Sequence, residues 1–201
     1  MSKELEAARE LVKMLEEKEK ANEFELSALK PGEKFPMAGH DFVVLKHDYL
    51  ESGFTAVICK DLWGESVKFG DTRDYNKSKV KEIMGKVAEE IKKEVGAGNI
   101  LEHEVSLTSV DMQNEFGACK CGVRPATFDE AREFNDLIVN KDLPDWWWTL
   151  TPWSTEERGY TYSIIVVSPS GSIYYYDYCG SRNGVRPFCI LKSNIFVSKG
   201  E

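Results

Sequence analysis

The chain has no long apolar run. No window of its 201 residues approaches the ~18 apolar side chains that a membrane-spanning helix needs, which excludes a helical membrane protein. Residues 1–22 are charged throughout and contain no apolar stretch of the kind that marks a signal peptide, so synthesis in the cytoplasm is the expectation. Basic charge is also in short supply. Lys and Arg number 26 against 34 Asp and Glu, a net charge of −8, and a chain of that sign is poorly equipped to neutralise phosphates, so nucleic acid is not an expected partner.

Histidine is scarce, with only His40, His47 and His103, and the five cysteines Cys59, Cys119, Cys121, Cys179 and Cys189 cannot all pair within one chain. An odd, dispersed set favours reduced thiols over a disulfide framework. Cys119-Lys120-Cys121 is a C-x-C with no second cysteine pair beside it, so plain thiols are favoured over a structural zinc site. The chain lacks a G-x-S-x-G elbow, a Walker loop, a G-x-G-x-x-G turn and an H-E-x-x-H helix. Nothing local supports a Cys–His nucleophile pair either, so the expectation is a non-enzymatic protein without cofactor or metal.

What remains is ample material for a folded domain. A protein of this mass exposes roughly 9,600 Å² of the roughly 33,000 Å² its extended chain offers, so a core forms without metal or disulfide support. A hydrophobic fraction of 42% rules out disorder. We divide the chain into an N-terminal helical arm, residues 1–24, and a single domain, residues 25–201. Leu5, Ala8, Val12 and Leu15 give residues 3–21 a narrow helical stripe. That stripe docks on its own domain, forms a loosely held arm, or joins copies into a homo-oligomer. Pro31-Gly32 marks a turn. The runs Phe42–Leu45 and Phe54–Cys59, separated by Glu51-Ser52-Gly53, read as a β-hairpin. From Ser78 to Val95 the period becomes helical, with Val80, Ile83, Met84, Val87, Ile91 and Val95 on one stripe and Gly96 as the stop. Thr127-Phe128-Asp129-Glu130 has the form of a capping box, opening a helix that buries Phe128, Ala131, Phe134 and Ile138. Three runs, Tyr160–Val167, Ser172–Tyr178 and Val185–Leu191, read as an antiparallel meander. The fold class is therefore α+β, two helices against a mainly antiparallel sheet.

Two aromatic segments stand out. Asp145-Trp146-Trp147-Trp148-Thr149-Leu150-Thr151-Pro152-Trp153 holds four of the five tryptophans; at least two of them are expected in the core, and a sugar-stacking platform is the competing reading. On the strand after Gly171, alternation places Tyr174, Tyr176 and Tyr178 on one face and Ile173 and Tyr175 on the other. If Ile173 points inward, the three phenols face water. A recognition surface, with Arg182 and Asn183 adding hydrogen bonds at its rim, and plain cross-strand packing on a solvated sheet both fit that row. Gly184-Val185-Arg186-Pro187 repeats the earlier Gly122-Val123-Arg124-Pro125; four residues alone read as coincidence, and Arg186 is expected to lock a carboxylate in a bidentate pair.

Trp146-Trp147-Trp148-Thr149-Leu150-Thr151-Pro152, then Ser168-Pro169-Ser170-Gly171, then Gly184-Val185-Arg186-Pro187-Phe188, together resemble the signature of the domain of unknown function 6273 family from gut Firmicutes and their phages. Leu29-Lys30-Pro31-Gly32, Phe69-Gly70 and Ile190–Ser198 extend the likeness over most of residues 25–198. The chain departs from the pattern where Thr149-Leu150-Thr151-Pro152 replaces L-R-S-P, and around Cys119–Pro125. The resemblance implies a C-type-lectin-like fold, similar to formylglycine-generating-enzyme relatives and to the variable ligand-binding proteins diversified by phage retroelements. In those binders the last strands and their loop hold the ligand, which corresponds here to Tyr174, Tyr176, Tyr178, Arg182 and Asn183. No cysteine pair maps onto the copper site of the enzymatic relatives, and the E-P-N and W-N-D calcium motifs are missing. Fold alone licenses no activity. The resulting expectation is a phage or prophage binding domain for a host protein or surface glycan, made in the cytoplasm and carried on the virion. The alternative is a small acidic cytoplasmic phage protein that binds and inhibits a host defence factor.

Overall fold

The computed structural model of the protein describes residues 23–198 together with Leu5, Arg9, Glu10 and Val12. The helix expected over residues 3–21 lies outside the described residues apart from those four positions, which are helical and exposed.

The first half of the chain forms β1 (Glu23–Glu25), β2 (Lys34–Met37), β3 (His40–His47), β4 (Phe54–Cys59), β5 (Val67–Lys68) and then α1 (Lys79–Val95). The strands β6 (His103–Ser106), β7 (Ala118–Cys121) and β8 (Val123–Arg124) lead into two short helices, α2 (Phe128–Glu133) and α3 (Asn135–Ile138). The chain ends in β9 (Trp147–Pro152), β10 (Ser163–Val167), β11 (Ile173–Tyr178), β12 (Arg182–Asn183), β13 (Phe188–Lys192) and β14 (Phe196–Ser198). The class is α+β with antiparallel strand pairing.

A five-stranded sheet in the order β2-β3-β4-β13-β8 forms the centre, and both of its faces are buried. Phe42, Val44, Val57, Cys59, Cys189 and Leu191 face one core, into which α1 inserts Val80, Met84, Val87 and Ile91. Their sequence neighbours Val43, Ala56, Ile58, Phe188 and Ile190 face the other, closed by Ala131, Phe134 and Ile138 of α2 and α3. A sheet covered on both sides needs apolar residues at every position, which is why these strands appear as unbroken apolar runs. The two cores also account for the tryptophans. β9 runs between them, so Trp148 enters the first core and Trp147 the second, both at 0% exposure.

Local signals hold where the chemistry is local. The Ser78 hydroxyl accepts from the Lys81 N–H at 3.0 Å to start α1, and Gly96 ends it at φ 83°. Thr127 and Glu130 form the full capping box at α2. The single helix expected after it is broken at Phe134 (φ −101°, ψ 17°), and Phe128 is only half-buried.

The meander requires correction. Only β10 and β11 pair as expected; the third run, β13, leaves them to lie between β4 and β8 in the central sheet, and β9 takes the third place in the order β11-β10-β9. Tyr160 and Tyr162 precede β10 rather than belonging to it. Arg186 is corrected too. Its Nε donates to the Cys59 carbonyl (2.9 Å) and one terminal nitrogen to the Ile138 carbonyl at the end of α3 (2.7 Å), while the guanidinium lies 5.1 Å from the centroid of the Trp147 ring. Unsatisfied main-chain oxygens at a strand end and a helix end take the place of the expected carboxylate. The bidentate carboxylate pair belongs instead to the earlier copy, Arg124 with Glu130. The two four-residue copies are close in space, since Val123 and Arg124 pair with Cys189 and Phe188.

Candidate functional site

The small sheet exposes β11 as its free edge, and the register of that strand determines what faces outward. Opposite residues on antiparallel strands project to the same side. Val166 opposes Tyr174 and Ile164 opposes Asp177, so one residue of β10 faces two of β11 at Tyr175 and Tyr176. This β-bulge reverses the alternation beyond it. Tyr174 and Asp177 therefore share a side, and Tyr178, opposite Ser163, falls on the other. The unbroken pleat expected for Tyr174, Tyr176 and Tyr178 does not occur. Tyr174 (43% exposed) stands edge-on to Trp146, ring centroids 5.9 Å apart, while Tyr178 (56% exposed) stands edge-on to Tyr162 at 5.3 Å.

A groove of about 230 Å³ opens where Trp146, Val166, Tyr174, Asp177 and Asn183 meet. Each wall is anchored by backbone. The Trp146 carbonyl accepts from the Gly184 N–H (2.7 Å) and the Gly184 carbonyl from the Trp148 N–H (2.9 Å), so the groove's indole is held by the glycine of the second G-V-R-P element. A side chain at Gly184 would meet Leu62 at 2.5 Å, so only glycine fits there without displacing Leu62. Asp145 supports the same turn, accepting from the Trp146 N–H (2.8 Å) and from the Ser66 hydroxyl (2.6 Å). Asn183 sits in β12 opposite Val67, only 5% exposed, and donates to one Asp177 oxygen at 2.7 Å. The other Asp177 oxygen accepts from the Tyr178 N–H at 2.8 Å.

Of the residues expected from sequence, the structure gathers Tyr174 and Asn183 at the groove, leaves Arg182 exposed one residue away on β12, and sends Tyr178 elsewhere, while the side chain of Tyr176 lies outside what the structure describes. Asn183 acts through Asp177 rather than as a free rim amide. Sequence reasoning missed Asp177, and it offered Trp146 only within the competing sugar-stacking reading of the Trp run. The acid inside an aromatic run, Ile173-Tyr174-Tyr175-Tyr176-Asp177-Tyr178, was the available signal. An aromatic wall beside a fixed carboxylate offers an apolar ring face and hydrogen-bond acceptors at a set distance from it. That suits recognition of a polar ring with an apolar face.

Among the described residues no three His, Cys, Asp or Glu side chains gather into a group that could hold a metal ion, and no helix is long and apolar enough to cross a membrane.

A family model described as "Domain of unknown function (DUF6273)" matches residues 76–193, more than half of the chain, and the protein belongs to that family. No curated protein and no solved structure matches the chain.

Proposed function

We propose that this protein is a non-enzymatic binding domain of phage or prophage origin, with a C-type-lectin-like fold, that recognises a host surface glycan or protein through the groove on its C-terminal sheet. The groove between Trp146 and Tyr174, with Asp177 held beside it by Asn183, carries the reading. Its size and chemistry favour a sugar: the apolar face of a pyranose packs on an aromatic ring, and vicinal hydroxyls donate to a carboxylate. The pairing of β1 with β14, which joins the two ends of the described domain, supports a lectin-like closure of the chain.

A glycan array probed with the wild-type chain and with Tyr174→Ala and Asp177→Asn tests the proposal. Binding of a defined saccharide by the wild type, lost in both variants at unchanged melting temperature, is the expected result. A saccharide bound equally by all three would refute it. The second reading, an acidic inhibitor of a host factor, is favoured by the net charge of −8. It predicts salt-sensitive capture of a basic protein that survives Tyr174→Ala.

A further inference from the structure

His103 opens β6 with its ring half-buried and engaged at both nitrogens. Nδ1 lies 3.3 Å from the Leu101 carbonyl oxygen, and Nε2 lies 3.3 Å from Nη2 of Arg124. A carbonyl only accepts and a guanidinium only donates. The two partners therefore fix the tautomer of the neutral ring: its proton is on Nδ1, and Nε2 is the acceptor.

Arg124 depends on that acceptor. Its terminal N–H groups go to the two Glu130 oxygens (2.5 and 2.6 Å), to the Pro125 carbonyl (3.1 Å) and to His103, while its buried Nε has no partner among the described residues. A second proton on the imidazole would turn Nε2 into a donor, 3.3 Å from a donor of a guanidinium that is only 2% exposed. Two cations would face each other, and a buried N–H would lose its acceptor. The charged ring has to leave Arg124.

That contact joins two parts of the fold. β6 and β7 form a ribbon of their own, whereas Arg124 belongs to β8, at the edge of the central sheet. Beside His103, the Leu101 N–H donates to the Ile190 carbonyl of β13 at 2.8 Å. Past the far end of β6 the Val110 N–H donates to the Pro152 carbonyl (3.2 Å), and Asp111 accepts from the Ser154 hydroxyl (2.7 Å) and from Arg158 (2.5 Å). Hydrogen bonds from Ser109 and Ser154, with Arg158, hold Asp111 down at about 2, so this end stays fastened in mild acid. We propose that His103 is a pH-sensitive latch. Neutral, it fastens the near end of the β6–β7 ribbon to the central sheet through Arg124; protonated, it lets that end go while the Val110–Asp111 end stays pinned. Val105, Ser106 and Val110 line a cavity of about 440 Å³ together with Phe128 and Thr151, so the latch sets the width of that cavity.

The charges around the ring give the direction. Burial, then the Arg124 charge, push His103 below its ordinary value of 6.5, outweighing the Leu101 carbonyl, Glu130 of α2 and Glu51 of the β3–β4 turn, which all favour the charged form. On β7, Cys121 stands opposite His103 and Lys120 opposite Glu104; on α1, Lys92 is held by Glu89 (3.2 Å) and Glu102 (3.9 Å). A released ring takes up its proton at the ordinary, higher value, so protons favour release. The latch holds above about pH 6.5 and weakens as pH falls from there toward the lowered midpoint, by up to about tenfold per pH unit.

Amide hydrogen exchange of the full-length chain, followed by NMR between about pH 7.5 and about pH 5 and corrected for the intrinsic rate, tests the latch. Protection of the Leu101 amide should fall by up to about tenfold per unit below about pH 6.5, while the Val110 amide keeps its protection. In the same sample the His103 ring should titrate below its value in the urea-unfolded chain. His103→Gln, whose side-chain amide accepts from Arg124 and donates to Leu101 without titrating, should keep Leu101 protected throughout. Flat Leu101 protection in the wild type, equal losses at Leu101 and Val110, or a loss in His103→Gln as steep as in the wild type overturns the proposal; the first two are read on the unmutated protein.

Discussion

Replacing Glu130 with alanine tests the most concentrated polar contact in the fold. Glu130 is 5% exposed and Arg124 2%. One carboxylate oxygen accepts from Arg124 (2.5 Å) and the Thr127 N–H (2.8 Å), the other from Arg124 (2.6 Å) and the Tyr49 hydroxyl (3.0 Å). The substitution removes all four bonds and leaves the guanidinium buried against the Phe188 ring, 4.6 Å from its centroid, without a countercharge. Breaking one side of a buried ion pair costs about 3–5 kcal/mol, and each kcal/mol lowers the melting temperature of a chain this size by about 2–4 °C. The melting temperature followed by circular dichroism should fall by about 6–20 °C, with a matching loss in urea midpoint. The hydrophobic double variant Arg124→Met with Glu130→Leu should recover most of that loss, because no charge is then stranded.

The pH dependence has a definite sign. Burial alone would raise the Glu130 carboxyl, but the charge and hydrogen bonds of Arg124 outweigh it and hold it below the ordinary value. A depressed carboxyl stabilises the fold above its unfolded pKa of about 4.3, and the contribution is lost as pH falls through the folded value. The gap in melting temperature between wild type and Glu130→Ala should therefore be constant near neutrality and close below about pH 4. A cost under about 1 kcal/mol at pH 7 would refute the claim that this pair is a buried, mutually dependent unit.

Two further substitutions probe the frame around the groove. Trp148→Ala empties a fully buried site and removes the indole bond to the Val67 carbonyl (2.8 Å), so a loss of about 3–5 kcal/mol in chemical denaturation is expected. Gly171→Ala forces a side chain at φ 85°, 2.7 Å from Val139 and 2.9 Å from the Asn135 side chain, and should cost about 1–3 kcal/mol by the same assay.

Features governed by a few neighbouring residues were legible in the sequence. Ser78, Gly96 and the Thr127–Glu130 box mark helix ends through bonds within one turn, and the β3–β4 hairpin is closed by a short turn. Pairings between distant segments were not. Nothing around Phe188–Lys192 shows that it crosses to Phe54–Cys59 rather than joining β10 and β11, since an apolar run fits either sheet. The bulge at Tyr175 and Tyr176 was hidden for the same reason: alternation within β11 is regular, and only the register against β10 breaks it. The two G-V-R-P copies differ in their surroundings instead of their residues. Arg124 has Glu130 six positions on at the start of α2, while Arg186 reaches only carbonyls.

The most direct measurement is side-chain and amide NMR of the wild-type chain titrated with the saccharide that the array selects. The Trp146 indole and Tyr174 ring signals, with the amides of Asp177 and Asn183, should shift together along one binding curve, and Tyr174→Ala should abolish the shifts. Shifts clustered around Tyr162 and Tyr178 with Trp146 silent, or an unchanged affinity in Tyr174→Ala, would contradict the groove as the site of recognition.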